Sequence, residues 1–288
     1  MAKVGYFPGC TLHASAHELD DSTRALASRL GIELEEIPDW TCCGATAAHS
    51  MNHLLGLSLP ARNLSLAATA HMEAVMAPCA ACFNRLAVAR HELLEDAALR
   101  KQVEGIIERP LDTIPEVHSV LSWLLAEVGK GTDWAKVDLS QMKVACYYGC
   151  LLLRPPAAIA FDDVEQPTSM ERIVQSVGVE PVDWHCRLRC CGAGFSVSRT
   201  GIVLRLVREI LSDAKRSGAD AVVLGCPMCH SNLDLRQQAA IERQSAIPIL
   251  FLPQLLGLAA GCDPKELGLF DHMVDTQDLL RKVPAGKV

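Results

Sequence analysis

The stretch Asp183-Trp184-His185-Cys186-Arg187-Leu188-Arg189-Cys190-Cys191-Gly192-Ala193 decides how the chain folds, because an adjacent cysteine pair is chemically awkward unless something binds it. Two neighbouring thiols close only a strained disulfide, and their divergent side chains chelate a single tetrahedral metal poorly. They suit a multinuclear cluster, in which each sulfur takes a different iron. A near copy stands earlier, at Asp39-Trp40-Thr41-Cys42-Cys43-Gly44-Ala45. The rest of the chain reads as two copies of a device built around such a pair.

Working outward, Val4 to Phe7 lead into Pro8-Gly9-Cys10, and Val144 to Tyr148 lead into Gly149-Cys150. Each reads as a buried strand ending at a turn with a thiol. Helical spacing follows from Leu19 to Leu30, stopped by Gly31, and from Thr168 to Val177, stopped by Gly178. Gly31-Ile32-Glu33 and Gly178-Val179-Glu180 then open short extended segments that reach Asp-Trp and the double cysteine. Downstream, a helical stretch that includes Leu204 to Ile210 in the second copy precedes another buried strand, Ala74-Val75-Met76 or Ala221-Val222-Val223-Leu224. Each of these strands ends in a Cys-x-x-Cys, Cys79-Ala80-Ala81-Cys82 or Cys226-Pro227-Met228-Cys229. A strand and a helix close each copy, over Val117 to Gly129 and Ile249 to Gly261.

A period of roughly 140 residues is too long for a solenoid, and strands alternating with helices imply a small parallel sheet per copy. The expected fold is α/β, two Rossmann-like halves related by a pseudo-twofold. Residues 1–138 and 139–288 are the expected domains, with the boundary in the polar, glycine-containing stretch from Gly129 to Asp138. The end from Lys282 to Val288 reads as frayed or partner-bound.

At 288 residues the chain can bury a real core in each half, so its thirteen cysteines are not needed as staples. Their odd number, and a start without the basic and apolar runs of a secretory signal, point to reduced thiols that hold metal in the cytoplasm. The longest apolar run, Ile247 to Gly261, is shorter than a bilayer span and is broken by Pro248, Pro253 and Gln254, so no membrane span is expected. A net charge of −7, no basic cluster, three tyrosines and six phenylalanines argue against nucleic acid or an anionic membrane surface as partner.

The thiols repeat as Cys10, Cys42-Cys43 and Cys79-x-x-Cys82, then as Cys150, Cys190-Cys191 and Cys226-x-x-Cys229. Five at strand ends and turns in each half converge on the carboxyl edge of a parallel sheet, where open α/β folds place ligands. Five is one more than a zinc site or a regular cubane needs. At these residues, and at Tyr6-Phe-Pro-Gly-Cys10, Cys146-Tyr-Tyr-Gly-Cys150-Leu-Leu-Leu-Arg-Pro-Pro156 and Phe161-Asp-Asp163, the chain resembles the Cys-Cys-Gly domain proteins, most closely the family of the heterodisulfide reductase B subunit.

The resemblance covers nearly the whole chain and implies a noncubane 4Fe-4S cluster in each half. The ligands it implies are Cys10, Cys42, Cys43, Cys79 and Cys82 for the first, and Cys150, Cys190, Cys191, Cys226 and Cys229 for the second. In that family a mixed disulfide of two thiol coenzymes, CoM-S-S-CoB, is cleaved reductively. Its electrons come from a flavoprotein partner through a small ferredoxin-like partner. The resemblance therefore implies a catalytic subunit, those two partners and a small-molecule disulfide substrate. Two clusters facing across a pseudo-twofold would each supply one electron and take one thiolate.

Other readings of the same residues stand beside this one. A non-catalytic iron-sulfur subunit passing electrons within a larger flavin-containing oxidoreductase uses the same ligands, and fold alone does not separate the two. Zinc in the N-terminal half is the alternative cofactor, because Cys79-Ala-Ala-Cys82 suits either metal. Cys146, Cys186 and Cys262 fall outside the repeat and read as small buried hydrophobes. His13, His49, His185 and His230 lie near proposed ligands and are candidate proton donors to a product thiolate. Arg154, Arg187 and Arg189 either attract acidic substrate groups or form surface salt bridges. Trp40 and Trp184 read as packing that shields a cluster from water.

Overall fold

The computed structural model describes residues 2–45, 48–131 and 133–284. The first half runs β1 (Ala2–Tyr6), α1 (Gly9–Leu12), α2 (His17–Arg29), β2 (Ile32–Glu36), α3 (Ala48–Met51), α4 (His53–Thr69), β3 (Ala74–Ala77), α5 (Ala80–Glu95), α6 (Ala97–Ile107), β4 (Glu116–Ser119) and α7 (Val120–Val128). The second runs β5 (Lys143–Tyr147), α8 (Ser169–Ser176), β6 (Glu180–Pro181), α9 (Thr200–Arg216), β7 (Ala221–Leu224), α10 (Pro227–Leu233), α11 (Gln237–Ala240), β8 (Ile249–Phe251), α12 (Leu252–Ala259) and α13 (Gln277–Leu280).

The strands form two four-stranded sheets, ordered β2-β1-β3-β4 and β6-β5-β7-β8. Every pairing is parallel, with Gly5 opposite Val75 in the first sheet and Ala145 opposite Val222 in the second. Central strands of such sheets are covered on both faces, which is why β7 is an unbroken apolar run and buried throughout. Edge strand β2 instead alternates, burying Ile32 and exposing Glu33 and Glu35, charges that discourage a further strand from adding there.

The halves exchange helices across their junction. Helix α2 packs on α12, and α8 packs on α7. Because α2 and α8 hold equivalent positions, as do α7 and α12, this reciprocal pairing is what a pseudo-twofold requires. One continuous apolar core runs through the junction and includes Leu26, Leu121, Ile173 and Leu256. Asn84, fully buried on α5, adds polar clamps across it: its Nδ2 donates to the carbonyls of Leu151 at 3.0 Å and Arg154 at 2.5 Å.

Repeat and structure part company in three places. Helices α5 and α6 extend the first half and bury a satellite core against α4 around Leu57, Ala61, Leu93 and Val103, where the second half has only the short α10 and α11. In the stretch expected to join the halves, the Lys136 and Val137 N–H groups both donate to the Ala259 carbonyl, at 2.7 and 3.0 Å. Beyond α12 the chain crosses back toward α2, and Asp234 holds it by accepting N–H bonds from Met273 at 2.7 Å and Val274 at 3.2 Å. Part of the end expected to fray or bind a partner, residues 285–288, lies outside the described residues.

Candidate metal centre

The first thiol of each set follows a strand, β1 or β5, through a glycine in the left-handed region, Gly9 at φ +72° and Gly149 at φ +66°. These glycines also make room. A Cβ built on Gly9 would lie 2.8 Å from the Cys82 sulfur, and one on Gly149 would lie 3.4 Å from the Cys229 sulfur. The Cys-x-x-Cys pairs sit where strand turns into helix. Cys79 is the N-cap of α5 and Cys226 that of α10, with Pro227 starting the helix. Cys82 and Cys229 therefore fall in first turns, where the helix dipole favours a thiolate.

The glycine after each double cysteine has a definite task. Gly44 at φ +75° and Gly192 at φ +80° turn the chain so that their own N–H groups face the preceding sulfurs, Cys42 at 3.5 Å and Cys190 at 3.3 Å. Asn63, fully buried, clamps the approach to the first pair: its Oδ1 accepts from the Thr41 N–H and its Nδ2 donates to the Thr41 carbonyl, each at 2.8 Å. Asn232 holds the second pair, donating to the Cys191 carbonyl at 3.1 Å and its sulfur at 3.7 Å.

The structure brings the ten repeated cysteines into two groups of five. Cys43 and Cys82 sulfurs are 3.3 Å apart, as are those of Cys191 and Cys229, and Cys10 and Cys42 are 3.9 Å apart. A disulfide would need about 2.0 Å, whereas thiolates on one tetrahedral metal stand about 3.8 Å apart. All thirteen cysteines are free. In the first group Cys43, Cys79 and Cys82 are buried while Cys10 and Cys42 are exposed; in the second Cys191, Cys226 and Cys229 are buried and Cys190 is exposed.

The thiols cannot all ionise on their own. A hydrogen bond from Cys82 pulls Cys43 down to about 7, helped by the nearby Arg85 charge, while Cys82 itself is pushed well up. A hydrogen bond from Cys150 pulls Cys190 down to about 6, while Cys150 and Cys229 are pushed up by bonding to their sulfur neighbours and by burial. Like charges at this spacing exclude one another unless a cation compensates them. A multinuclear metal centre supplies that charge, and the five-thiol donor set with its glycine-cleared space fits one better than it fits a single four-coordinate zinc.

A cavity of about 800 Å³ opens on the second group and is walled by both halves. Cys150, Cys190, Cys191, Cys226 and Cys229 all line it, whereas the first group reaches it only through neighbours such as Ala45, Ala80 and Ala81. Among the four histidines singled out from the sequence, His49 lines this cavity. His13 packs edge-on to Trp40 at 5.3 Å and faces Glu36 at 3.6 Å. His185 is exposed beside Asp213, and His230 is buried against Phe251, with its Nε2 2.8 Å from His272 Nδ1. Burial pushes His230 down to about 3.

The three arginines are engaged in ion pairs: Arg154 with Glu165 at 3.3 Å, Arg187 with Glu171 and Asp183, Arg189 with Glu209. Trp184 is buried and its Nε1 donates to the Cys146 carbonyl at 3.1 Å; Trp40 donates to Glu36 at 2.7 Å and packs on Phe7. Cys146 is fully buried in β5, Cys262 is buried and Cys186 is half-buried. Asn63, Asn84, Arg85 and Asn232 escaped the sequence reading; the last two both stand three residues past a Cys-x-x-Cys, an equivalence the repeat contains.

Residues 4–87 and 144–234 each match the cysteine-rich domain family CCG. The chain is 36% identical to the 8-methylmenaquinol:fumarate reductase membrane anchor subunit of Wolinella succinogenes, over 96% of this chain and 99% of that one. It is 29% identical to the B subunit of the ferredoxin/F(420)H(2)-dependent CoB-CoM heterodisulfide reductase of Methanosarcina acetivorans, over 98% and 97%. A hypothetical protein from Helicobacter pylori shares the fold, with a TM-score of 0.77 at 14% identity, over 95% of this chain and 52% of that one. Among the described residues no helix is long and apolar enough to cross a membrane.

Proposed function

Because the chain belongs to the CCG cysteine-rich domain family, we propose that it is an iron-sulfur subunit of a multisubunit oxidoreductase, and that its reacting molecule is a disulfide bound in the cavity at the second thiol group. The observation that carries this is the cavity itself, which all five thiols of the second group line on one side and to which residues of the other half contribute the facing wall. Identity to the B subunit of a heterodisulfide reductase over nearly the whole length supports the disulfide reading. On this reading Cys10, Cys42, Cys43, Cys79 and Cys82 hold one noncubane 4Fe-4S cluster, and Cys150, Cys190, Cys191, Cys226 and Cys229 hold the other. Residues 1–138 and 139–288 are the corresponding domains.

Bound clusters would supply single electrons and an iron able to take a thiolate. The chain's own part is to orient and to supply protons. Reductive cleavage breaks one S–S bond, takes two electrons and two protons, and leaves two thiols. His49, at the cavity wall, is placed to hold one of those protons. Gly44 and Gly192 N–H groups stabilise thiolate charge at Cys42 and Cys190. The electrons come from a ferredoxin-like partner and a flavoprotein partner.

A second reading has its own support, the 36% identity to a component of a quinol:fumarate reductase. Here the chain passes electrons within a flavin-containing complex without cleaving a disulfide. Anaerobic purification with iron, sulfide and zinc counted per chain tests the common part: about eight irons and negligible zinc are expected. Cys191→Ala should cut the iron count to about half and abolish disulfide reduction by the assembled complex. Full iron in that variant sinks the ligand set, and full iron in the unaltered complex without any disulfide turnover leaves the electron-transfer reading.

A further inference from the structure

The cavity at the second thiol group has a wall chemistry that selects its occupant. Among the described residues lining it there is no aspartate, glutamate, lysine or arginine, although 21% of the chain is charged. Its polar groups besides the thiols are the His49 imidazole and hydroxyls, among them those of Thr11, Ser15, Ser50, Ser196 and Ser198. By contrast, a cavity of about 580 Å³ elsewhere on the second half is lined by Lys215, Asp220, Arg243, Asp275 and Lys282. Arg154, Arg187 and Arg189 are paired with carboxylates, and Arg236 stands behind the wall, donating to the Ser196 carbonyl at 2.9 Å and to Asn232 Oδ1 at 3.1 Å. Val197, a lining residue, is 97% exposed, and Met51, next to lining residue Ser50, is 77% exposed.

From these features we infer that the molecule reacting at this cavity bears no formal charge on the part that enters, and has an apolar body. The inference rests on the reading that the cavity is the reaction site, and narrows it. A sulfonate, phosphate or carboxylate would find no lysine or arginine in the described lining and only His49 as an ionisable base, so desolvation opposes its entry. A hydroxyl-bearing or alkyl disulfide, or a quinone, meets hydroxyl partners and apolar walls instead. Coenzyme disulfides with anionic tails are thereby disfavoured, and the class is an uncharged two-electron carrier.

The test uses the anaerobically purified, oxidised holoprotein, so that ligands bind without turnover, and equilibrium dialysis as the readout. Bis(2-hydroxyethyl) disulfide and its bis(2-sulfonatoethyl) counterpart differ in terminal charge, and a short-tailed neutral benzoquinone is the third probe. The neutral disulfide should bind at least about tenfold more tightly than the sulfonate. Val197→Lys, at an exposed lining position that tolerates substitution, should shrink that gap by improving sulfonate binding. Sulfonate binding as tight as the neutral disulfide's overturns the inference and leaves the proposed function standing. Binding of the quinone alone supports the inference and sinks the disulfide substrate. Failure of all three, or indifference to Val197→Lys, overturns both the inference and the placement of the reaction in this cavity.

Discussion

Alanine at Gly9 and at Gly149 makes a matched pair of perturbations, because the two glycines occupy equivalent turns with nearly the same φ, +72° and +66°. Each substitution forces a side chain into the left-handed region at a cost of about 1–2 kcal/mol. They differ in what the new methyl meets. At Gly9 it would lie 2.8 Å from the Cys82 sulfur, inside van der Waals contact, whereas at Gly149 it would lie 3.4 Å from Cys229, which is ordinary contact. Cys82 is buried and stands 3.3 Å from Cys43, so its sulfur cannot yield without leaving the thiol group. Overpacking of this kind costs about a further 1–3 kcal/mol. Gly9→Ala should therefore total about 2–5 kcal/mol and release metal from the first centre, while Gly149→Ala should cost about 1–2 kcal/mol and keep the second centre loaded. Iron per chain, paramagnetic resonance and denaturant midpoints of the anaerobically purified variants measure this. Equal iron loss in the two variants would refute the claim that sulfur clearance is what these glycines provide.

Three further outcomes are expected. Asn84→Ala strips the Leu151 and Arg154 carbonyls of their buried donor and should cost about 2–3 kcal/mol in chemical denaturation; a loss under about 0.5 kcal/mol would mean the clamp is idle. Burial pushes His272 down to about 4 from a usual value near 6.5, so the unfolded chain binds the proton first as pH falls. The share of stability that His272 carries is then full above pH 6.5 and declines below it, by about 2 kcal/mol between pH 7.5 and 5, a part of the slope that His272→Gln should remove. An unchanged slope in that variant would remove His272 as the cause. Arg85→Asn should lower the midpoint potential of the first centre by on the order of tens of millivolts, since a cation favours added electrons; redox titration followed by paramagnetic resonance would expose an unmoved midpoint.

Cysteine spacing made the repeat legible, and with it both sheets, because each thiol marks the end of a strand and strands in a parallel sheet must be reached through helices. The apolar run at Ala221–Leu224 and the glycine stops at Gly31 and Gly178 left little freedom in where elements begin and end. The extra length of α5 over its counterpart α10, and the whole of α6, carry no repeat signal, and their satellite core is local to the first half. The side chains that hold the thiol groups were equally hidden. Asn63 and Asn84 act across 22 and 67 residues of sequence, and an asparagine in an apolar stretch announces a buried hydrogen bond without naming its partner. Of the four histidines close to cysteines in sequence, only His49 lines the cavity, since adjacency along a helix such as α10 points His230 away from its neighbour Cys229 and onto Phe251.

The two thiol groups are alike in fold and unlike in surroundings. At the position three residues beyond each Cys-x-x-Cys the first half has Arg85, whose charge draws Cys43 toward the thiolate, and the second has Asn232, a neutral donor to Cys191. The cavity touches only the second group. Arg85 acts on Cys43 directly, whereas at the second group the Arg236 guanidinium stands one hydrogen bond back, on Asn232 at 3.1 Å, so the remote side is the better home for an extra negative charge. Electrons released by a molecule in the cavity would run toward Arg85 with the electrostatic gradient, and electrons delivered to it would run against that gradient. A doubled fold with unequal surroundings thus has a preferred direction, and delivery of electrons to a disulfide in the cavity runs against it, so the driving force must come from reduction of the disulfide itself.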